Sequence, residues 1–426
     1  MNILIIRKAA IVIFASFLAT NQLKSQTDII WGKIFGSQQD EYVLNHVMDA
    51  SGNLYVAGKT TGIIGTENFG KNDGFLTKID SAGNVLWSRQ FGTPGEEDIQ
   101  WCAIDKSGNI YLTGSTTGDL NGRNSGKEDV IVVKFSTDGQ LLWSKQFGTA
   151  GSDVAKGIYS DNAGNIYVTG FTEGKLGQSS SGKNDCFIMK LDNDGNQIFT
   201  TQFGTPEDDY SYAVSRGPGS DVLVCGSTWG ALAGKNKGMI DGFTAQFSDK
   251  GELIKYNQFG SEGFDIAMML YMDNEKNVYV GGTTSGNFGC QQNGEGDCFL
   301  IKLNNKGEIL WNSQFGTANN DGLRSISFNP EISDNMLVSG ILNLPPGMAF
   351  IRMYNTEGKL LWERVFEGCS GKDVDFDNRG NIYHVGLTGE NTFGKLIGLH
   401  NYYVVKLKLE KEYLKSAKIS GISGKM

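Results

Sequence analysis

The sequence predicts an all-β protein: a seven-bladed β-propeller with four antiparallel strands per blade, its ring closed by the N-terminal strand. Three observations carry this expectation: an excess of glycine, a strict internal period, and four short apolar runs in each period. Of 426 residues, 58 are glycine and 6 are proline, a glycine share about twice the usual 7%. The glycines have no period of three, which excludes collagen. A hydrophobic content of 39% with 11% aromatics is enough for a large core and excludes a disordered chain. Many glycines in an otherwise ordinary composition mean many tight turns, hence many short strands.

The period comes next. Phe-Gly recurs at Phe35, Phe91, Phe147, Phe203, Phe259 and Phe315, always 56 residues apart, and a seventh, altered copy at Phe366, with Glu367 before the Gly, follows after 51. Four residues before these stand Trp31, Trp87, Trp143, Phe199, Lys255, Trp311 and Trp362. A Gly-Asn-Leu/Ile-Tyr marker appears at Gly52, Gly108, Gly164 and Gly380, with Lys276-Asn277-Val278-Tyr279 as a variant. A third marker opens at Asp73, Asp129, Asp185, Asp241 and Asp297.

The second unit shows the elements in order: Ile99–Asp105, Asn109–Gly114, Val130–Phe135 and Gln140–Phe147. The first pair is joined by Asp105-Lys106-Ser107-Gly108-Asn109 and the last by Ser136-Thr137-Asp138-Gly139, both hairpin chemistry. The runs are rich in β-branched and aromatic residues, as strands prefer. Four-stranded units repeated radially make a propeller, because stacked blades bury each other's faces. Innermost strands begin near Val43, Ile99, Val154, Ser211, Ile266, Leu323 and Lys372, which gives seven blades. The first Trp-x-x-x-Phe strand, Ile29–Phe35, precedes them all, so it should close the last blade beside Tyr402–Leu409. The tail echoes that strand weakly at Glu412–Ile419, but Trp31 and Phe35 match the consensus better.

The recurring Trp-x-x-Gln-Phe-Gly-Thr, Asp-x-x-Gly-Asn-Ile-Tyr-Val-Thr-Gly-x-Thr and Asp-x-Phe-x-x-Lys-Leu segments resemble the SBBP family of bacterial β-propeller repeats. The likeness runs over residues 29 to 409 and is sharpest in Trp87–Lys134 and Trp143–Lys190. In the sixth unit Met348 replaces the Asp. The resemblance implies an exported or cell-surface seven-bladed propeller, and it carries no catalytic residues with it.

Arg7-Lys8 followed by the apolar run Ala9 to Ala19 reads as a signal peptide, too short to span a bilayer. The expected organisation is residues 1–25 signal peptide, 26–410 a single propeller, and 411–426 a C-terminal tail. The protein should therefore be exported, to the periplasm, the cell surface or the medium, with no transmembrane segment. Lys+Arg 38 against Asp+Glu 47 gives a net charge of −9. With no basic stripe, nucleic acid is not an expected partner.

In a propeller the loops from outermost to innermost strand and from second to third strand emerge on one face, around the channel. At one fixed place in the first of these loops stand Glu41, Glu97, Asp153, Asp209, Asp265 and Asp321, with Asp373 an approximate equivalent in the shortened seventh unit. Asp73, Asp129, Asp185, Asp241 and Asp297 follow on the same face. Such a crown of oxygens could bind Ca2+ or steer a cationic partner. The favoured reading is that each carboxylate accepts backbone N–H groups and fixes its loop. Asp192-Asn193-Asp194-Gly195 resembles the start of a Ca2+ loop, but lacks the later Glu and the flanking helices, and reads as a turn.

The loops between second and third strands are the most variable part of the repeat, and variable loops on a rigid frame are where specificity lies. The sixth is cut down to Leu342-Asn343-Leu344-Pro345-Pro346, leaving a lower, more apolar side; Leu342 and Leu344 are the candidate docking residues. His46 and His384 fall on neighbouring blades and read as core or channel residues rather than a two-His metal site. Cys290 and Cys298 flank one loop and could bridge locally; the other cysteines read as buried thiols.

Function then reads as a non-enzymatic, monomeric scaffold that binds a protein or glycan through its loop-bearing face, with no cofactor beyond optional Ca2+. The alternative is a propeller-type hydrolase or lyase using carboxylates near the central channel as acid and base. An enzyme of that kind needs two carboxylates in unlike environments, whereas these acids recur in one context, which favours the scaffold.

Overall fold

A computed structural model of the protein describes residues 28–178, 180–289, 292–329, 333–410 and 413. The expected signal peptide, the tail apart from Tyr413, and Cys290 lie outside these residues. Among the described residues the chain forms seven four-stranded antiparallel sheets. Blade one comprises Glu41–Met48, Leu54–Thr60, Asp73–Ile79 and Val85–Phe91, from the channel outward. Blades two to six repeat the plan.

Blade seven takes Cys369–Phe376, Asn381–Thr388 and Asn401–Lys408 from the end of the chain and Ile29–Phe35 from its beginning. Trp31 lies opposite Lys406, Ile34 opposite Tyr403 and Phe35 opposite Tyr402. The N-terminal strand thus closes the ring, as the Trp-x-x-x-Phe count requires. Tyr413 packs instead against the core between blades six and seven.

Burial follows position in the blade. The third strand Asp129–Phe135 is buried throughout, whereas the outermost strand Leu141–Phe147 begins with two exposed residues. The cores lie between blades: Tyr55, Leu76 and Phe91 of blade one pack with Ile99, Leu112 and Ile131 of blade two. Each such side chain fully buried contributes roughly 1.5–3 kcal/mol.

The sequence markers are the polar fasteners of this stack. Asp49 accepts the N–H groups of Ser51 and Asn53 (both 2.9 Å), the Asn53 amide (2.8 Å) and the Tyr55 hydroxyl (3.1 Å), with Gly52 at φ 81° closing the turn. Lys276 holds the same left-handed place at φ 66° in blade five, the variant seen in the sequence. Lys78 lies over the Tyr55 ring at 4.9 Å and donates to the Thr137 carbonyl of blade two at 3.1 Å. The outermost Trp residues also reach the next blade: Trp31 donates to Ser81, Trp143 to Asn193 and Trp311 to Thr356, at 3.0–3.1 Å. In blade four, where Lys255 stands in place of Trp, its ammonium donates to the Asn305 carbonyl instead. The Asp192 segment is such a turn, its carboxylate capping Asp194 and Asn196. Cys102, Cys186, Cys225, Cys298 and Cys369 are buried free thiols.

Candidate functional site: the loop-bearing face and the channel

Two rings of acids shape the loop-bearing face. Glu41, Glu97, Asp153, Asp209, Asp265 and Asp321 stand where the innermost strands begin, none more than 1% exposed. Glu97 shows the pattern: it accepts the N–H of Thr93 (2.9 Å) and the hydroxyls of Thr93 (2.7 Å) and Thr116 (2.6 Å). Thr149, Thr205, Ser261 and Thr317 serve Asp153, Asp209, Asp265 and Asp321 with the same pair of donors. Glu41 accepts the hydroxyls of Ser37 (2.5 Å) and Thr60 (3.0 Å). The residue after each Phe-Gly pair is therefore the donor that folds the corner over its carboxylate. Burial raises the carboxyls of Glu97, Asp153, Asp209, Asp265 and Asp321 above their ordinary range, against the lowering effect of these donors.

The second ring is Asp73, Asp129, Asp185, Asp241 and Asp297, also buried. In each, Oδ2 accepts a backbone N–H from four residues back and a Gln side-chain amide; for Asp73 the donors are Phe69 and Gln90, both at 2.7 Å. Oδ1 of all five has no hydrogen-bond partner. These atoms face the first ring across the corner glycine. A Cβ added to Gly204 would lie 2.6 Å from Asp185 Oδ1 and 2.8 Å from Asp209 Oδ2; one on Gly260 would lie 2.5 Å from Asp241 Oδ1 and 2.9 Å from Asp265 Oδ2. At the closing junction Asn401 replaces the second Asp. Its Oδ1 accepts the Ile397 N–H (2.9 Å) and its Nδ2 donates to Glu41 Oε2 (2.8 Å).

Asp373 is not a seventh member of the crown. Between blades six and seven a single residue, Gly368 at φ 68°, separates the strand ending at Glu367 from the one starting at Cys369. Cys369 therefore takes the carboxylate's place and Asp373 falls mid-strand. There it accepts the Asn45 amide (2.9 Å), the His46 N–H (2.9 Å) and the Ser325 hydroxyl (2.6 Å), and lies 2.8 Å from His46 Nδ1. Burial alone would depress the His46 imidazole, but Asp373 raises it above its ordinary value and is itself held below the usual carboxylate range. His384 belongs to the core beside them, 2.7 Å from Ser339 Oγ and 3.1 Å from the Tyr403 hydroxyl. Burial pushes it down to about 3. Among the described residues no group of three or more His, Cys, Asp or Glu is arranged to hold a metal ion.

Leu342 ends the second strand of blade six and packs against the core there. Leu344 is half-buried in the short connection that follows. The most open apolar side chains of this face lie elsewhere: Met239 on blade four is 71% exposed and Leu399 on blade seven 70%, with Ile63, Phe69, Trp229 and Ile397 less so.

The residues that line the channel were not identified in the sequence. Each innermost strand carries a bulge, between Val43 and Asn45 in blade one and between Ile99 and Trp101 in blade two. The bulged residue turns into the channel. It is always the third after the start of the crown position: Leu44, Gln100, Lys156, Tyr212, Met268, Arg324 and, after Cys369, Lys372, all of which line one cavity. Beside each bulge stands Gly58, Gly114 or its equivalent, where a Cβ would collide with the carbonyl two residues before the bulged one, that of Tyr42 or Asp98. The phase was readable from the crown; the direction of the side chain was not.

With this geometry in view, residues 86–121 and 142–177 match the SBBP beta-propeller repeat family. The regulatory protein FlaEY of Caulobacter vibrioides is 28% identical over 248 residues, 54% of this chain and 24% of that protein; the chain thus spans about a quarter of that relative's length. Among solved structures, the WD40 domain of Neurospora crassa Pan2 superposes with a TM-score of 0.55 at 10% identity, over 91% of this chain and 98% of that one. An ulvan lyase of polysaccharide lyase family PL25 superposes at 0.50 and 12% identity, over 90% and 98%. These structures share the fold alone. The chain is thus a seven-bladed β-propeller, two of whose repeat units match the SBBP repeat.

Proposed function

We propose that this propeller is a non-enzymatic, exported scaffold that holds a protein or glycan partner on its loop-bearing face. The observation that supports this reading is the sameness of the acids. Five first-ring carboxylates are capped by one kind of donor pair, a repeated setting rather than the unlike environments that acid and base roles need. Above them the loops differ from blade to blade, and those of blades one, four and seven each expose two apolar side chains, a makeup suited to a binding rim on a rigid frame.

The test uses the full mature chain with Met239→Glu and Leu399→Glu, both so exposed that folding should be untouched. Crosslinking to native cell-envelope extract and a glycan array should each be run on the wild type and the double variant. A defined partner lost in the variant supports the scaffold. Cleavage of an arrayed polysaccharide by the wild type, abolished by Glu97→Gln, would replace it with the lyase or hydrolase reading.

A further inference from the structure

We infer that the central channel binds a small anion carrying two or more oxyanion groups, held by Lys156, Arg324 and Lys372. The cavity has a volume of about 120 Å3 and no acidic side chain lines it. Its three cations come from blades three, six and seven, and its remaining walls include Trp101, Tyr212 and Met268. The protein as a whole carries a net charge of −9, so this concentration of positive charge runs against the global balance. Among the described residues no carboxylate forms an ion pair with any of the three, although the Asp98 and Glu128 charges act on Lys156. Among the described residues the one hydrogen bond of Arg324 runs from Nη1 to the Met268 sulfur (3.0 Å), and its Nε is buried without a hydrogen-bond partner. Lys156 and Lys372 make no ion pair or side-chain hydrogen bond among the described residues. Asp98, the acid whose charge acts most on Lys156, is occupied by Lys59 at 2.8 Å.

Half-buried like charges without counter-charges destabilise a fold, and the titration of the groups reflects it. Burial lowers Lys156, Arg324 and Lys372, and the neighbouring Arg324 charge helps bring Lys372 down to about 8. An anion in the channel would relieve this cost. A guanidinium fork suits the two oxygens of a carboxylate or sulfate, and the lysines supply point charges around it. The volume is well below the few hundred Å3 of a drug-sized site, which fits a small anion rather than a polymer chain.

Malonate and inorganic sulfate are the probes, titrated into the mature chain at constant ionic strength by calorimetry and thermal melting. Saturable binding of one anion per chain is expected, with a rise in Tm. Lys372→Met and Arg324→Gln should each weaken it by roughly tenfold or more, while the ligand-free variants melt no lower than the wild type because a like charge is gone. Should Arg324→Gln fail to fold, Lys156→Met carries the same expectation. Affinity should also be weaker at about pH 9 than at about pH 7, as Lys372 loses its proton; the other titratable groups in the cavity are Lys156, Tyr212 and Arg324. Absence of saturable binding for both probes, or binding undiminished in every folded variant, would overturn the assignment.

Discussion

Asn401 does with an amide what five other junctions leave to an acid. Its Nδ2 satisfies Glu41 at 2.8 Å, whereas Asp73 Oδ1, at the equivalent place, faces Glu97 with no donor. Burial raises the Glu97 carboxyl first, and the Asp73 carboxylate adds to it. A group raised in the folded state contributes stability below its unfolded value and loses it as pH rises through the folded value. Asp73→Asn should therefore imitate Asn401 and stabilise the protein, with a Tm gain of roughly 2 °C or more at about pH 8 and a smaller one at about pH 5. Melting curves of the two proteins at both pH values decide it; a gain that is absent, or larger in acid, contradicts the reading that the Asp73 carboxylate acts unfavourably on Glu97 across the corner.

The innermost strand of blade seven ties the ends of the ring together. Asp373 takes donors from blade one and from blade six, and its pairing with His46 has a defined pH window. His46 is raised, so its contribution fades as pH rises through its folded value; Asp373 is lowered, so its contribution fades as pH falls through its own. Asp373→Ala would strand Asn45, His46 and Ser325 together, at a cost of about 3–5 kcal/mol near neutral pH, measurable as a shift in urea midpoint. The strand itself was legible in the sequence; the role of Asp373 was not. The 56-residue phase breaks in this unit, and only the one-residue corner at Gly368 shows that Cys369, rather than Asp373, holds the crown position. The same holds for the channel. Lys156 and Arg324 sit in phase, but a regular strand would have placed their side chains by simple alternation, and it is the bulge that re-aims them.

At the scale of the molecule, the period and the turn chemistry were enough to give blade number, strand order and closure, because each repeat must bury its faces against the next. What the period could not give is contact between blades, such as the meeting of the two acid rings across a corner glycine, since these residues belong to different hairpins. Closure by Ile29–Phe35 also sets how the protein unfolds. Open repeat arrays melt by fraying from their ends, whereas here the first and last strands, Ile29–Phe35 and Asn401–Lys408, share one sheet. Removing the strand Ile29–Phe35 leaves Asn401–Lys408 as a bare edge. The transition should broaden and move to lower temperature, and calorimetry should show a van't Hoff enthalpy falling below the calorimetric one.

The bulge beside each strand-end glycine has a further consequence. It separates two alphabets on one strand: a nearly invariant acid that builds the corner, and three residues later a position open to Leu, Gln, Lys, Tyr, Met or Arg. The channel is thus a seven-letter address written on a fixed page. Its chemistry can be rewritten one blade at a time, by substitution at Leu44 or Met268 for instance, while the hydrogen bonds that close the ring stay as they are.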